Sequence, residues 1–179
     1  MHPRASTSAS RETRGSGHER ATLVALRRKL ITYSVEGWGI GELLFAGSML
    51  VYHELPRVRL PARPPAVLPL VDRLRAYFDG ERVAFDDVEL DLSWATPFQR
   101  AIARTLRRIP AGETVTYGEL AALAGHSNAQ RAVGSFCAGN RYAVIIPCHR
   151  VVASTGLGSY GSLGTEYKRR LLALEGVEL

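Results

Sequence analysis

Residues 96–140 read TPFQRAIARTLRRIPAGETVTYGELAALAGHSNAQRAVGSFCAGN, and they contain start and stop signals for three helices. Thr96–Pro97 is a favourable pair for the cap and first turn of a helix. Thr116 and Glu119 have the spacing of a capping box, and Gly139–Asn140 ends the third helix. The last two helices are short and joined by a tight turn, an arrangement typical of a helix-turn-helix.

Apolar residues recur at helical spacing in the first two of these helices. In the first helix, the predicted apolar stripe consists of Phe98, Ile102, Leu106 and Ile109. In the second, we expect Leu120 and Leu123 to form the apolar face and Gly125 to end the helix.

The third helix offers few side chains that could read DNA bases. Its small residues are Ala129, Ala132, Gly134, Ser135 and Ala138. Arg131 is its only charge. Such a surface either permits close packing against another helix, or approaches a narrow DNA groove and places one long side chain among the bases. Composition alone favours packing.

The sequence pattern of the N-terminal half predicts a small α/β unit. Three β-rich runs between residues 30 and 56 are separated by GWGIG and AGS, which predicts an antiparallel meander. Prolines cluster in residues 56–69, which predicts an irregular connection there. Helical spacing follows, ending at Gly80, in Leu70, Val71, Leu74, Tyr77 and Phe78. We interpret His53 as a strand histidine with no ligand partner nearby.

These patterns divide the chain into three parts. Residues 1–22 are rich in Ser, Arg and Gly, lack the apolar segment of a secretory signal, and are predicted to be a disordered leader. Residues 23–92 would form the N-terminal α/β domain, and residues 93–179 a mostly helical C-terminal domain. The predicted fold class is therefore α/β in the α+β sense.

The net charge of +6 is unevenly distributed. Residues 1–29 carry seven Lys/Arg and two Asp/Glu (+5), residues 30–92 six and ten (−4), and residues 93–179 ten and five (+5). A basic C-terminal half suits a polyanionic partner, although basic surfaces also serve solubility. Two cysteines provide no disulfide framework, and no apolar run could span a bilayer. We therefore expect a cytoplasmic protein without a membrane partner.

Residues 143–152, AVIIPCHRVV, place a cysteine beside a histidine between two apolar runs. We expect 143–146 to form a buried strand that ends at Pro147. Cys148 is then either an inert buried thiol or a nucleophile that His149 activates. Adjacent side chains on a strand point to opposite faces, so direct contact is not guaranteed, but the geometry allows proton transfer through one water. A zinc site is less favoured, since the two cysteines lack the spacing of a ligand pair.

Four blocks of this chain resemble the O6-alkylguanine-DNA alkyltransferase family in order and spacing. They are TPFQRAIARTLRRIPAGETVTYGELAALAG (96–125), RAVGSFCAGN (131–140), IIPCHRVVASTG (145–156) and KRRLLALEG (168–176). The resemblance implies a ribonuclease-H-like N-terminal domain and a C-terminal domain with a winged-helix-like helix-turn-helix. It also implies that no cofactor or metal is needed.

The resemblance implies specific catalytic roles. Cys148 would accept the alkyl group of O6-alkylguanine, and of O4-alkylthymine, once per molecule. His149, polarised by Glu175, would take the thiol proton through a water, with the thiol pKa lowered. Asn140 would brace the turn near the cysteine, and Tyr117 would crowd the 3′ phosphate and donate to the leaving guanine.

The same resemblance implies how DNA and the base are bound. Arg131 would replace the base flipped out of the duplex, while Ala129, Gly134 and Ser135 contact the minor groove with little sequence preference. In the pocket, the Val151 carbonyl would accept from the guanine amino group, and the loop at Tyr160, Gly161 and Ser162 would bind the guanine oxygen. The expected state is a monomer on double-stranded DNA, with cooperativity left open.

Two alternatives remain at this point. One is an alkyltransferase-like protein that binds lesions without accepting the alkyl group, which the presence of Cys148 disfavours. The other is a helix-turn-helix regulator with an inert core cysteine. Such a regulator would need base-reading side chains on its second helix, and here that helix offers only Asn128, Gln130 and Arg131.

Overall fold

A computed structural model describes residues 28–58 and 68–179. The fold begins with a three-stranded antiparallel sheet. Its strands, in spatial order, are β1 (Arg28–Val35), β2 (Gly39–Ala46) and β3 (Met49–Arg57). The predicted meander is therefore confirmed. Gly41 lies opposite Tyr33, and a Cβ at this position would lie 2.4 Å from the tyrosine ring, so the glycine makes room for a buried aromatic side chain.

The proline-rich connection is shorter than predicted. Strand β3 continues through Pro56 and Arg57, which is possible because β3 is an edge strand, where a missing backbone donor is tolerated. At the other end, Pro69 is the first residue of a helix, a position that needs no intrahelical donor. Residues 59–67 and the predicted leader, 1–22, lie outside the described residues.

Helix α1 (Pro69–Phe78) packs against the sheet. All five of its apolar residues that were predicted to face the core are buried. Phe78 meets the ring of Trp38 at a centroid distance of 5.0 Å, which joins the helix to the β1–β2 turn. The helical periodicity of the sequence thus identified this face correctly.

The second half consists mainly of helices. Its elements are α2 (Pro97–Leu106), β4 (Val115–Thr116), α3 (Tyr117–Leu123), α4 (Gln130–Ala138), β5 (Val151–Val152) and α5 (Gly164–Leu174). Strands β4 and β5 form a short parallel pair. Five α-helices and five strands among the described residues confirm the predicted α/β class.

Capping explains where two of these helices begin. Thr96 and Gln99 form a capping box at α2, and Thr116 and Glu119 form the predicted one at α3. Helix α2 ends at Leu106, so Ile109 lies beyond the helix, where its half-buried side chain still packs against the core. The proline that follows Ile109 disfavours helical backbone at that residue.

Helices α3 and α4 form the predicted helix-turn-helix. They are joined by residues 124–129, and their buried residues are Leu120, Ala121, Val133 and Phe136. The prediction for Leu123 is wrong: its side chain is 62% exposed because the last turn of α3 is not covered, and Ala121 is buried instead. Asn128, in the connecting turn, has a φ of 66°, a conformation that asparagine tolerates.

One hydrophobic cluster contains residues of both halves. His53 on β3 joins them through hydrogen bonds: its backbone N–H donates to Arg141 O at 2.8 Å, and its Nδ1 lies 2.7 Å from Ala143 O. The Tyr33 hydroxyl lies 2.6 Å from His53 Nε2. The domain boundary at 92/93 stays a prediction. None of the helices in 28–58 and 68–179 has the length and hydropathy to cross a membrane.

Candidate active site

A tight turn, rather than the predicted strand, leads to Cys148. Residues 144–146 are buried as predicted, but Val144 has a φ of 71°, and the backbone N–H of Ile146 donates to Tyr142 O at 2.7 Å. A buried turn and a buried strand have the same apolar composition, which explains the wrong prediction. A β-branched residue in the left-handed region is strained, so neighbouring contacts must hold this turn.

Asn140 supplies several of those contacts. Its Nδ2 donates to Ile146 O at 2.8 Å and to Cys148 Sγ at 3.0 Å, while its Oδ1 accepts from the backbone N–H of Tyr142 at 3.0 Å. One side chain therefore spans the turn and reaches the thiol. This is the bracing role that the resemblance implied for Asn140.

The Cys148 thiol is buried, with 6% of the residue exposed. Burial raises its pKa, and the opposing effects of the Asn140 donor, the Lys168 charge and the Tyr160 hydroxyl are each smaller. The expectation of a lowered thiol pKa is therefore wrong for the protein without DNA. The expectation neglected the desolvation of a thiolate at a buried position.

His149 lies in the same turn of 3₁₀ helix, Cys148–Arg150, and not on an extended strand. Its Nε2 lies 2.8 Å from Glu175 Oε1, at the C-terminal end of α5. Its Nδ1 is buried and makes no hydrogen bond with any described residue. The sequence prediction that Glu175 contacts His149 agrees with this geometry.

Protonation differs sharply between these two residues. Burial lowers the pKa of His149 more than the Glu175 carboxylate raises it, so the ring is neutral at physiological pH. Burial alone would raise the pKa of Glu175, but hydrogen bonds from His149 and Arg150, together with the Arg150 charge, hold it well below its usual range. The pair is thus a neutral imidazole beside a carboxylate, which is the arrangement that a general base requires.

Two further side chains hold Glu175, and the sequence identified neither. Arg150 donates through Nε to Oε2 at 2.9 Å and through Nη2 to Oε1 at 2.8 Å. Tyr77, on α1, donates its hydroxyl to Oε1 at 2.8 Å and lies 3.2 Å from His149 Nε2. Arg150 was detectable as part of the IIPCHRVVASTG block, but no local signal marks Tyr77 apart from its place on a buried helix face.

Lys168 is also missed by sequence reasoning, since lysine is usually exposed. It is fully buried on α5, and its Nζ donates to Val151 O at 2.6 Å and to Leu157 O at 2.5 Å. Burial lowers its pKa, and the negative charge of a thiolate at Cys148 or Cys137 raises it. Lys168 brings a positive charge near the thiol and ties together two backbone segments of the site.

A cavity of about 170 Å³ opens onto Cys148. The predicted pocket residues Tyr160, Gly161 and Ser162 line one side, and Asn140 lies beside the cysteine. Residues 52–55 of β3 line the cavity as well. The N-terminal sheet therefore contributes to the pocket wall, which the sequence did not indicate.

Tyr160 lines this cavity, whereas Val151 and Tyr117 are not among its lining residues. The Tyr160 hydroxyl is buried without a hydrogen bond of good geometry among the described residues. The Val151 carbonyl oxygen accepts a hydrogen bond from Lys168, and this bond occupies one of the two lone pairs of that oxygen. A Cβ on Gly158 would lie 3.3 Å from the Tyr117 hydroxyl, so Tyr117 packs against the loop that leads to Tyr160.

Of the predicted DNA-contacting residues, Arg131, Gly134 and Ser135 lie on α4, Ala129 immediately precedes it, and Tyr117 begins α3. Arg131 and Ser135 are exposed, Ala129 and Gly134 are half-buried, and a Cβ on Gly134 would meet nothing within 4 Å. The protein's own packing therefore does not require a glycine there. Within residues 28–58 and 68–179, no group of three His, Cys, Asp or Glu side chains could hold a metal ion.

Residues 97–177 match the family model described as 6-O-methylguanine DNA methyltransferase, DNA binding domain. The methylated-DNA–protein-cysteine methyltransferase of Mycobacterium tuberculosis is 46% identical over 82% of this chain and 93% of its own length. The chain belongs to the methylated-DNA–protein-cysteine methyltransferase family. A second member, from Mycolicibacterium paratuberculosis, is 44% identical over 69% of this chain and 73% of its own. The family and enzyme class predicted from four ordered blocks are confirmed.

Solved structures agree with this family assignment. The O6-methylguanine methyltransferase of M. tuberculosis superposes with a TM-score of 0.71 at 37% identity, covering 83% of this chain and 93% of its own. M. tuberculosis OGT in complex with DNA superposes with a TM-score of 0.67 at 37% identity, covering 82% of this chain and 92% of its own. The O6-methylguanine-DNA methyltransferase of Pyrococcus kodakaraensis, at 24% identity and a TM-score of 0.64, shows the shared fold.

Proposed function

We propose that the protein repairs DNA by moving the alkyl group of O6-alkylguanine to Cys148. The sulfur attacks the alkyl carbon, a C–S bond forms, and the bond from that carbon to the guanine O6 breaks. The thiol proton leaves through His149, and guanine gains a proton as it departs. The reaction needs no cofactor, and the thioether is not reversed, so each molecule acts once.

The observation that carries this proposal is the arrangement of Cys148, Asn140, His149 and Glu175 around one buried turn. We name the Cys148–His149–Glu175 set the relay. With Nε2 facing the Glu175 carboxylate, Nδ1 of His149 is the nitrogen that can accept a proton, through one water from the thiol. The raised thiol pKa means that proton removal accompanies alkyl transfer or follows the entry of the base.

The proposed mode of DNA binding uses the open side of α4. An alkylated O6 lies in the major groove inside the base stack, so the nucleotide must flip into the pocket at a cost of a few kcal/mol. Arg131 fills the vacated place, and the small residues Ala129, Gly134 and Ser135 allow close approach in the minor groove. Because only Asn128, Gln130 and Arg131 could contact base edges, we expect little sequence preference. We also propose that the protein binds as a monomer.

Within the pocket, the proposed contacts follow the predicted residues. Tyr117 donates to the ring nitrogen of the leaving guanine, the Val151 carbonyl accepts from its amino group through the remaining lone pair, and residues 160–162 bind its oxygen. O4-alkylthymine presents the same alkyl–oxygen bond on a smaller base, so we propose it as a second substrate. Both cysteines are free thiols, which suits the reducing cytoplasm.

The decisive experiment is intact-protein mass spectrometry after incubation with a duplex that contains one O6-methylguanine. We expect a stoichiometric gain of one methylene unit that saturates. Cys148→Ser should show no gain, while Cys137→Ser, which alters the other cysteine lining the cavity, should gain normally. Binding of the duplex without a mass gain would instead favour a lesion-binding protein that does not transfer.

Base flipping has its own test. Arg131→Ala should slow transfer from duplex DNA by about tenfold or more, since the unstacking cost is no longer offset, and should leave transfer from a free O6-alkylguanine base unchanged. Arg104→Ala removes the same charge from an exposed position on α2 and serves as the control. Equal losses for the two variants would mean that Arg131 contributes only charge.

A further inference from the structure

We propose that Tyr77 is a positioning residue for alkyl transfer: it fixes the His149 ring so that Nδ1 remains the proton acceptor. The inference rests on the proposed function, because it gives the relay a fourth member. Tyr77 belongs to α1 in the N-terminal half, whereas Cys148, His149 and Glu175 all belong to the C-terminal half.

The geometry centres on one carboxylate oxygen. Glu175 Oε1 lies 2.8 Å from the Tyr77 hydroxyl, 2.8 Å from His149 Nε2 and 2.8 Å from Arg150 Nη2. The Tyr77 oxygen also lies 3.2 Å from His149 Nε2. Tyr77 therefore touches both the base and the carboxylate that polarises it.

The positions of the hydrogens follow from these distances. The Tyr77 hydrogen points to Glu175 Oε1, so the Tyr77 oxygen presents lone pairs to His149 Nε2. Nε2 then faces two acceptors, and it must carry a hydrogen to avoid opposing lone pairs. A neutral imidazole has one hydrogen, so Nδ1 is left bare, which agrees with its lack of any hydrogen bond among the described residues.

The N-terminal core holds the Tyr77 hydroxyl in place. The ring is 3% exposed, with Phe78 and Phe85 at centroid distances of 5.4 Å and 6.2 Å in edge-on contact. Burial and the Glu175 carboxylate both raise the pKa of Tyr77 well above its usual value, so the phenol stays neutral and can donate. Among the described hydrogen bonds, no other side chain of the N-terminal half reaches His149 or Glu175.

Tyr77→Phe is the direct test, because it keeps the ring and removes only the hydroxyl. We expect the single-turnover rate with an O6-methylguanine duplex to fall about tenfold, with DNA affinity unchanged. Glu175 would also lose a donor, so its charge would favour protonated His149 more strongly. The acid limb of the pH–rate profile should therefore move to higher pH by about half a unit to one unit.

Tyr33→Phe is the matched control. It removes another buried hydroxyl of the N-terminal half that is bonded to a histidine, His53, and that contacts neither His149 nor Glu175. It should lower stability to a similar extent and keep the wild-type rate and pH profile. A Tyr77→Phe protein that keeps the wild-type rate and profile, or loses rate with an unshifted acid limb, overturns the proposal.

A measurement on the wild-type protein removes any dependence on how well the variant folds. Nitrogen-15 NMR of the His149 ring should show the neutral tautomer with hydrogen on Nε2. Hydrogen on Nδ1 would overturn the proposal even if transfer is efficient. Absence of transfer by the wild-type protein would refute the proposed function. The proposal for Tyr77 would then still be tested by which nitrogen of His149 carries the hydrogen.

Discussion

Asn140 Nδ2 lies 3.0 Å from Cys148 Sγ and 2.8 Å from Ile146 O, so one amide nitrogen holds both the thiol and the strained turn before it. The amide oxygen of the same residue accepts from Tyr142 N–H at 3.0 Å. Orientation of the nucleophile and conformation of the turn are therefore coupled through a single side chain. A substitution that removes this nitrogen therefore affects the thiol and the turn together.

Asn140→Asp should lower the transfer rate by at least about tenfold. The substitution keeps the size and the acceptor for Tyr142, but it removes the donor to both Cys148 Sγ and Ile146 O and brings a negative charge beside a developing thiolate. Mass spectrometry of samples quenched at successive times measures the rate. Asn140→Ala removes all three contacts and should also lower the melting temperature. A wild-type rate in the Asp variant would show that neither hydrogen bond of Asn140 Nδ2 is needed for transfer.

Lys168→Met should slow transfer by about tenfold, because the thiolate loses the nearby positive charge and the Val151 and Leu157 carbonyls lose their donor. The thiol pKa should rise, which a pH series of iodoacetamide labelling measures. Arg169→Met, an exposed position on the same helix, is the control and should label as wild type does. Equal labelling of both variants at every pH contradicts an electrostatic role for Lys168.

Glu175→Gln should cost about 3 kcal/mol of unfolding free energy at pH 7, since it leaves Arg150 and His149 without their buried partner. The folded-state pKa of Glu175 is lowered, so its contribution is complete above the unfolded pKa of about 4.3 and is lost as pH falls below that value. Urea unfolding from pH 7 to pH 3 measures both effects. Glu166→Gln, which breaks an exposed ion pair with Arg169, should cost less than about 1 kcal/mol.

His53→Gln should remove the part of the acid-induced loss of stability that occurs between pH 6.5 and 4. Burial lowers the pKa of His53 to about 4, so between pH 6.5 and 4 the unfolded chain binds a proton that the folded chain does not. Stability is therefore complete above pH 6.5 and falls by about 3 kcal/mol as pH approaches 4. The variant should lose that slope. His126→Gln, at an exposed position, should retain it.

Sequence patterns predicted most of the fold because they depend on local rules. Capping residues marked the starts of α2 and α3, and helical spacing marked the buried face of α1. The failures occurred where local composition does not determine geometry. Val144 has the composition of a strand residue and the backbone of a left-handed turn, and Leu123 lies on a last turn that nothing covers.

The candidate site was predicted only in part, for a related reason. The order of the four family-like blocks predicted Cys148, His149, Glu175 and Asn140 as site residues. The structure places all four close together. Tyr77 and Lys168 were missed because their roles arise from burial and from contacts distant along the chain. The direction of the thiol pKa was wrong because burial outweighs every favourable charge and hydrogen bond around it.

The hydrogen bond between Tyr77 and Glu175 joins positions 98 residues apart. A recombination event with a crossover between them could give the C-terminal half a different N-terminal partner while preserving every residue of the PCHRV segment. The hybrid gene would still encode the reactive cysteine, but it would inherit this hydroxyl only if the new partner placed a tyrosine at the same point. Exchange of the N-terminal half would therefore also exchange one of the hydrogen-bond donors to Glu175.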